Sequence, residues 1–389
     1  MVMWDEKYLK YKFSDWHPMH PARLELTYRL SEQLDVLGGP NVSIEPPAVA
    51  EDSVIATVHD QSFIDQVRKV SLDPSIVAEE FGLGTDDDPV FAGMHEAAAR
   101  IVGGSVIAAD AIMDETTVRA VNFAGGMHHA ARSKASGFCI YNDAAAAIHR
   151  MLERGARRVV YIDVDAHHGD GTESIFWDDD RVLTISIHES GLSLFPGTGF
   201  ANEIGGPKAE GSAVNIAVPA MTSDAGWMRA FHAVVPQLVR AFKPEVIVSQ
   251  HGCDAHRDDD MTNLKLSVDA QRQVALDISQ LADELCEGRW LATGGGGYNV
   301  TAVVPRTWTH LTAIVAGKPV PLRTYVPEEF RRYVPETYGR AMPYLMGDDA
   351  QLWWRNWEVG YDPADPVDRS IIATRKEVFP LFGLDPWFD

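Results

Sequence analysis

Cysteine and basic residues are scarce in this sequence. Its 389 residues contain three cysteines, Cys139, Cys253 and Cys286, and no CxxC pair. Neither a disulfide framework nor a cysteine zinc site is therefore indicated, and a reducing compartment is expected. The 34 Lys and Arg residues are outnumbered by 56 Asp and Glu residues, which gives a net charge of −22. That balance argues against binding to nucleic-acid phosphates and favours a cationic partner.

Long apolar runs are also missing. No stretch approaches the roughly 18 consecutive apolar residues that a membrane-spanning helix needs, and the first residues lack a basic region followed by an apolar one. The composition, 46% apolar and 23% charged, is that of an ordinary globular protein. These features predict a cytoplasmic protein without membrane contact.

Between about residues 53 and 316, short β-branched apolar runs alternate with helical patterns. This alternation predicts an α/β fold, an open and mostly parallel β-sheet flanked by helices on both faces. The predicted strands are Ser53–Val58, Val118–Phe123, Val159–Val164, Val182–His188, Ala213–Val218, Val246–Gln250 and Trp290–Thr293. The predicted helices are Pro89–Met113, Asp143–Arg154, Ser223–Phe242, Val268–Glu287 and Ala302–Ala316, with Asn142 or Asp143 and Ser223 or Asp224 as N-caps.

Residues after Gly317 change in character, because four of the ten tryptophans lie there. We predict one domain over residues 1–316 and an extended C-terminal segment, 317–389, that packs on it through aromatic side chains.

Ionisable side chains are concentrated where predicted strands end. Asp163, Asp165 and His167 alternate after one strand, and Asp254 follows another. Ligands of open parallel sheets bind at these carboxyl ends. Asp165, His167 and Asp254 therefore predict a three-ligand metal site with coordination left open. The alternative is an Asp that caps the loop and hydrogen-bonds the His, but so many buried charges would repel one another without a cation.

Two adjacent histidines, His128 and His129, follow a Gly-Gly turn after a third strand. Carboxylates can hold such histidines in fixed tautomers, and Asp163 and Asp170 are available for this. The pattern predicts two His–Asp dyads, and a histidine pair in a polar surface loop is the alternative.

Four glycines, Gly294 to Gly297, precede Tyr298. A phosphate-binding loop would require a Lys with Ser or Thr, which is missing. A flexible backbone that delivers a tyrosine hydroxyl to an oxyanion fits the pattern better.

Together these motifs resemble the class I histone-deacetylase-like branch of the arginase–deacetylase superfamily, and within it the bacterial acetoin-utilisation proteins. The matching segments are His17-Pro-Met-His-Pro-Ala-Arg23, Gly125-Gly-Met-His-His-Ala, Ser136-Gly-Phe-Cys-Ile-Tyr-Asn-Asp143, Asp163-Val-Asp-Ala-His-His-Gly-Asp-Gly171, Phe195-Pro-Gly-Thr-Gly199, His251-Gly-Cys-Asp254 and Gly294-Gly-Gly-Gly-Tyr298.

The resemblance implies a zinc-dependent amidohydrolase, with ferrous iron as the other candidate metal, that removes acetyl groups from lysine side chains. His129 with Asp170 would act as general base and acid, and His128 with Asp163 as its electrostatic partner. Tyr298 would polarise the acetyl carbonyl.

The resemblance also implies an acyl-lysine tunnel, an acetate channel and a structural potassium site. The substrate-binding residues would be Asp87, Gly137, Phe138, Phe195 and Met261, with Asp87 at the rim. Arg23 would line the acetate channel, where a buried salt bridge is its alternative role. Potassium would be held by Asp163, Asp165, His167, Ser186 and the backbone carbonyl of Ile187.

The implied partner is acetyl-lysine in proteins, for which acetyl-CoA synthetase is the family-level candidate. Three other functions remain open from the sequence. An acetylpolyamine deacetylase could use the same tunnel, with an acidic rim residue that binds a distal ammonium. A binuclear manganese hydrolase would need further ligands such as His168 and Asp170. A non-catalytic acyl-lysine binding module would have lost a catalytic group, and none is missing.

Overall fold

Eight parallel strands form one open sheet in the computed structural model, which describes residues 1–389. In chain order they are β1 (Val2–Met3), β2 (Ile44–Glu45), β3 (Arg119–Asn122), β4 (Val159–Asp163), β5 (Val182–Glu189), β6 (Ala213–Val218), β7 (Val246–Gln250) and β8 (Trp290–Thr293). Their order across the sheet is β2-β1-β3-β8-β7-β4-β5-β6. The predicted fold class is confirmed. The central strands are apolar on both faces because helices cover both.

Eleven α-helices accompany the sheet. They are α1 (Ala22–Gln33), α2 (Asp52–Ile55), α3 (Gln61–Leu72), α4 (Met94–Met113), α5 (Asp143–Glu153), α6 (Asp170–Ile175), α7 (Asp224–Phe242), α8 (Val268–Leu285), α9 (Val304–Val315), α10 (Glu328–Tyr338) and α11 (Pro366–Val378). One group packs as α3–α4–α5–α6 and the other as α1–α9–α8–α7–α11. These groups form the two layers that enclose the sheet.

The strand predicted at Ser53–Val58 is wrong. The chain forms helix α2 and a turn there, and the buried side chains of Ile55 and Val58 are three positions apart, as on a helix face. Short β-branched runs do not distinguish the two structures. Helix α4 begins at Met94 rather than at Pro89, after Gly93 with a φ of 80°.

The predicted caps have different outcomes. The Asn142 side chain accepts from Ala145 N at the start of α5, as predicted. Ser223 makes no side-chain cap on α7. The Asp224 carboxylate instead accepts from the backbone N and the hydroxyl of Ser267, at 2.7 Å each. It therefore ties the start of α7 to the start of α8.

The C-terminal residues are not an extended segment, because they include α10 and α11. Asp365 caps α11 through Val367 N, and Pro366 occupies the first turn, where its missing N–H costs nothing. Helix α11 packs on α7 and β6. The domain boundary at residue 316 stays a prediction. None of the helices in the described chain has the length and apolarity required to cross a membrane.

Candidate active site

The strand order brings four loops into one row at the carboxyl edge of the sheet. Strands β3, β8, β7 and β4 are consecutive neighbours. The histidine pair follows β3, Tyr298 follows β8, Asp254 follows β7, and Asp165 with His167 follow β4. Loops that are far apart in sequence therefore meet above adjacent strands.

The three predicted metal ligands come together. One ligand atom from each of Asp165, His167 and Asp254 lies within 4.8 Å of the others. His167 Nδ1 is 3.1 Å from Asp165 Oδ1 and 3.0 Å from Asp254 Oδ2. All three residues are buried. Two carboxylates and one imidazole, turned toward a shared point, fit a divalent cation.

The electrostatics of this cluster support the same interpretation. Burial opposes a charge on His167, yet the carboxylates of Asp165 and Asp254 outweigh it and raise its pKa to about 10. Burial, reinforced by the nearby Asp165, raises the pKa of Asp254 to about 7. The two buried carboxylates thus favour a positive charge between them, which a proton on His167 or a divalent cation can supply.

Neighbouring groups fix the two carboxylates. Gln250 Nε2 and Gly296 N each donate to Asp165 Oδ2 at 2.8 Å, and Ala166 N donates to Asp254 Oδ1 at 2.9 Å. A Cβ at Gly296 would overlap the Asp254 carboxylate, so only glycine allows this approach. The sequence interpretation missed Gln250, although its place at the end of β7 was an available signal.

The two predicted His–Asp dyads are present as hydrogen-bonded pairs. His128 Nδ1 lies 2.7 Å from Asp163 Oδ2, and His129 Nδ1 lies 2.7 Å from Asp170 Oδ1. The two imidazole rings are 4.0 Å apart at their centroids. The Tyr161 hydroxyl also donates to Asp163 Oδ2, at 2.8 Å.

The two histidines differ in their electrostatic surroundings. Burial disfavours charge on both. At His128 the carboxylates of Asp163 and Asp165 overcome burial and raise the pKa to about 9. At His129, burial and the adjacent His128 lower the pKa to about 4. One histidine is therefore suited to be a cation and the other a neutral base.

Tyr298 is held through its backbone by a residue that the sequence interpretation missed. Asp259 Oδ2 accepts from Tyr298 N at 2.7 Å and from Asn299 N at 3.2 Å, while Asp259 Oδ1 accepts from Met261 N at 3.0 Å. Burial raises the pKa of the Tyr298 phenol well above its ordinary value, so the hydroxyl remains a donor. Asp259 was one of three consecutive Asp residues, and no pattern distinguished it.

Aromatic side chains line the approach to these groups. The Phe138 ring is 5.7 Å from the Tyr298 ring, and the Phe195 ring is 5.0 Å from the His129 ring. Phe195 is 42% exposed and Met261 is 37% exposed, so both reach the surface. Any Cβ at Gly137 would overlap the His129 ring. Gly137, Phe138 and Phe195 therefore lie beside the catalytic side chains, and Met261 is linked to the Tyr298 loop through Asp259.

Asp87 lies at the rim with its side chain exposed. Its backbone carbonyl is 3.1 Å from His17 Nε2, and the His17 ring contacts Phe138 at 4.6 Å. The neighbouring Asp88 is buried, and burial together with Asp87 raises its pKa to about 8. Of these two neighbours, only Asp87 is therefore accessible from solvent.

Arg23 is buried beneath the glycine-rich loop. Its Nη1 donates to Gly295 O at 2.9 Å and Gly297 O at 3.3 Å, and its Nη2 contacts Met19 Sδ. Its Nε has no hydrogen-bond partner. The buried salt bridge considered from the sequence is not formed, since these partners carry no charge.

The predicted potassium residues occupy neighbouring strands. Ser186 of β5 is the register partner of Asp163 at the end of β4, and Ile187 follows it. The Ser186 hydroxyl is 2.8 Å from His188 Nδ1. Asp165 and His167 lie in the loop after β4.

The chain matches a known protein family over most of its length. The histone deacetylase domain matches residues 17–315, and the chain belongs to the histone deacetylase family. It is 37% identical over 382 residues to the acetoin utilization protein AcuC of Bacillus subtilis (strain 168), covering 97% of this chain and 98% of that protein. It is 38% identical over 315 residues to AcuC of Staphylococcus xylosus, covering 80% and 81% of the two chains.

Solved structures agree with this assignment. A histone deacetylase homologue complexed with SAHA superposes with a TM-score of 0.78 at 28% identity, over 86% of this chain and 88% of that one. The HDA15 HD domain gives a TM-score of 0.73 at 27% identity, over 82% and 91% of the two chains. The predicted family is confirmed, and the chain is an AcuC-like deacetylase.

Proposed function

We propose that the protein is a zinc-dependent lysine deacetylase that hydrolyses the acetamide of acetyl-lysine in proteins. The observation that carries the proposal is the convergence of a buried Asp-His-Asp set, two His–Asp dyads and a tyrosine hydroxyl at the end of one aromatic-lined entrance. A family resemblance alone would not require all of these groups to meet.

Asp165, His167 and Asp254 would hold the metal. Zinc accepts this donor set, and ferrous iron is the alternative. When bound, the metal supplies a Lewis acid that lowers the pKa of water. Potassium would occupy a structural site formed by Asp163, Asp165, His167, Ser186 and the carbonyl of Ile187.

The proton transfers fall to His129. Its Nδ1 is held by Asp170, so Nε2 is the atom free to take a proton from the attacking water. Its low pKa keeps it neutral before the reaction, as a base must be. The same Nε2 then donates to the lysine nitrogen as the C–N bond breaks. His128, charged and held by Asp163, stabilises the negative charge that develops.

The carbonyl oxygen is assigned to Tyr298. Its protonated hydroxyl donates to the acetamide oxygen and binds the oxyanion more strongly as charge accumulates there. The products are acetate and the free lysine amine. Arg23, a buried cation with uncharged partners and a free Nε, suits a departing carboxylate.

The substrate enters between Phe138 and Phe195, with Met261 and Gly137 at the wall and Asp87 at the rim. A carboxylate at this position can accept hydrogen bonds from the amides on either side of an acetyl-lysine. Because Asp87 is exposed, it could also attract the distal ammonium of an acetylpolyamine, which is the second candidate substrate.

A metal-defined activity panel tests the proposal. Metal-stripped protein is supplied with Zn²⁺, with Fe²⁺ under anaerobic conditions, or with Mn²⁺, and acetate release is measured from an acetyl-lysine peptide and from acetylputrescine. We expect Zn²⁺ or Fe²⁺ to restore peptide deacetylation. Asp254→Asn should lose bound metal and activity together. Turnover of acetylputrescine alone, or no turnover with any metal, would contradict the proposal.

A further inference from the structure

One tryptophan, Trp16, makes almost no side-chain contact with the rest of the protein. The side chain of Trp16 is 94% exposed. The adjacent His17 contacts the Phe138 wall and the Asp87 backbone, so Trp16 is next to the rim in the chain. Its own backbone N donates to Ser14 Oγ at 3.3 Å, within a turn. The indole is therefore presented to solvent beside the entrance.

An exposed indole is unfavourable for an isolated chain and is typical of binding surfaces. Tryptophan contributes disproportionately to binding energy when a partner covers it. Leu192, 87% exposed, lies in the segment that leads to Phe195, and Met261 is partly exposed on another loop. Apolar side chains thus occur on three loops around the entrance, which suits a ligand larger than the acetyl-lysine side chain.

Two exposed carboxylates lie on the loop that the His17 ring contacts through the backbone of Asp87. They belong to Asp86 and Asp87, and one cation, Lys134, lies near enough to oppose the rise in the pKa of the adjacent Asp88. Lys12, on the same segment as Trp16, is paired with Asp15. On the side of the rim near Tyr298, Asp258 and Asp260 line a cavity of about 410 Å³ together with Arg340. The negative charge there is partly offset by this arginine. On the side of the rim that carries His17, the two exposed carboxylates of Asp86 and Asp87 therefore outnumber the single cation, Lys134.

We propose that Trp16 is a specificity-determining contact that receives a basic side chain flanking the acetyl-lysine. The face of its indole would bind the guanidinium or ammonium group by a cation–π interaction, and Asp86 and Asp87 would add long-range attraction. This inference rests on the proposed lysine deacetylase function and narrows its substrates to acetylated protein segments with Arg or Lys near the modified lysine.

The test compares three acetyl-lysine peptides that differ only in one flanking residue, Arg, Ala or Glu. Both kcat and KM are measured for the wild type, Trp16→Ala, Trp16→Phe and Asp86→Asn. Trp353→Ala is the matched control, because this tryptophan is 73% exposed but lies in the C-terminal segment. We expect the wild type to prefer the Arg peptide over the Ala peptide by about two- to fivefold in kcat/KM, the size of one cation–π contact at an exposed site.

The preference should act through KM, since the contact is equal in the ground and transition states. Trp16→Ala should remove most of the preference, Trp16→Phe should keep part of it, and Trp353→Ala should keep all of it. Asp86→Asn should weaken the preference for the Arg peptide, and this difference from the wild type should shrink as salt is added.

An equal loss on all three peptides, or a wild type without preference, would overturn the inference. So would a dimer that dissociates in Trp16→Ala while the peptide preference stays intact, because a second copy would then cover the indole. Failure of the wild type on every peptide would instead contradict the deacetylase function itself.

Discussion

His128 and His129 are neighbours in the chain, yet their environments assign them different tasks. His128 is surrounded by the carboxylates of Asp163 and Asp165, whereas His129 contacts Asp170 and lies against the Phe195 ring. The first is stabilised as a cation, and the second as a neutral imidazole near the entrance. In the mechanism proposed above, the second therefore accepts and returns the proton.

We therefore expect His129→Ala to lower kcat more than His128→Ala does. Loss of a general acid–base group costs about 10²–10⁴-fold, while His128 acts only through its charge. Single-turnover rates on an acetyl-lysine peptide, with metal content measured in parallel, check this. Equal losses, or a larger loss for His128→Ala, would reverse the assignment of the two dyads.

The sequence could predict some site residues and not others for a physical reason. Asp165, His167 and Asp254 stand at the ends of apolar strands, and parallel strands bring those ends together. Asp259 and Gln250 act by accepting from or donating to groups on other loops. Such contacts depend on how the loops fold over one another, which no local pattern encodes.

At the scale of elements, the loop after β7 and the glycine-rich loop after β8 are joined by Asp259. This carboxylate binds Tyr298 N and Met261 N at once, and so sets the position of the proposed oxyanion donor relative to the tunnel wall. Asp259 does not face the entrance itself, since it is only 4% exposed. It is a positioning residue.

Asp259→Ala should lower kcat by about tenfold or more, because it removes hydrogen bonds to a charged group worth roughly 1.5–3 kcal/mol. Asp259→Asn should recover part of the rate through its amide oxygen. A double-mutant cycle with Tyr298→Phe gives the decisive readout. We expect Tyr298→Phe alone to cost about 10²–10³-fold, and Asp259→Ala to add little to it. Full additivity would show that Asp259 does not act through Tyr298.

The elements themselves were predictable where hydrophobic runs were long or bounded by clear caps. Strands β6, β7 and β8 have the predicted ends, and Asn142 starts α5 as predicted. Strands β1 and β2 have two residues each and leave no pattern. At residues 53–58 a strand pattern is present but no strand forms. The β-branched residues there adopt a helix and a turn, because burial of Ile55 and Val58 decides the structure.

At the scale of the whole molecule, one buried ion cluster ties the C-terminal segment to helix α7. Asp368 of α11 accepts from Arg229 of α7 at 2.5 and 2.8 Å and from Arg355 at 2.6 Å. Arg229 also donates to the carbonyls of Arg355, Asn356 and Gly360. Removal of the carboxylate would leave buried guanidinium charge unpaired.

We expect Asp368→Asn to lower the free energy of unfolding by about 3–5 kcal/mol, the cost of breaking a buried pair. Asp349→Asn is the control, because its pair with Arg323 is exposed and worth about 0–1 kcal/mol. Denaturant titrations measure the free energy of unfolding of both variants. If Asp368→Asn lowered it as little as Asp349→Asn does, the segment would be held mainly by apolar contacts.

The pH dependence of this effect follows from the sign of the shift. Burial alone would raise the pKa of Asp368, but Arg229, the backbone N–H of Asp362 and Arg355 together more than compensate and lower it. A carboxyl group whose pKa falls on folding stabilises the protein at any pH above its ordinary pKa, about 3.9. That stabilisation is lost as the pH falls through the lowered pKa of the folded protein. The difference between wild type and Asp368→Asn should therefore shrink in acid.

The place of β8 in the sheet has a consequence for biosynthesis. Residues 290–293 are the last strand in the chain, yet they lie between β3 and β7. Before they are inserted, the nascent chain can form only two separate sheets, β2-β1-β3 and β7-β4-β5-β6. Each would expose an unpaired edge, of the kind that promotes aggregation during synthesis. Ribosome-bound chains that stop before residue 290 should therefore depend on chaperones far more than chains released after it.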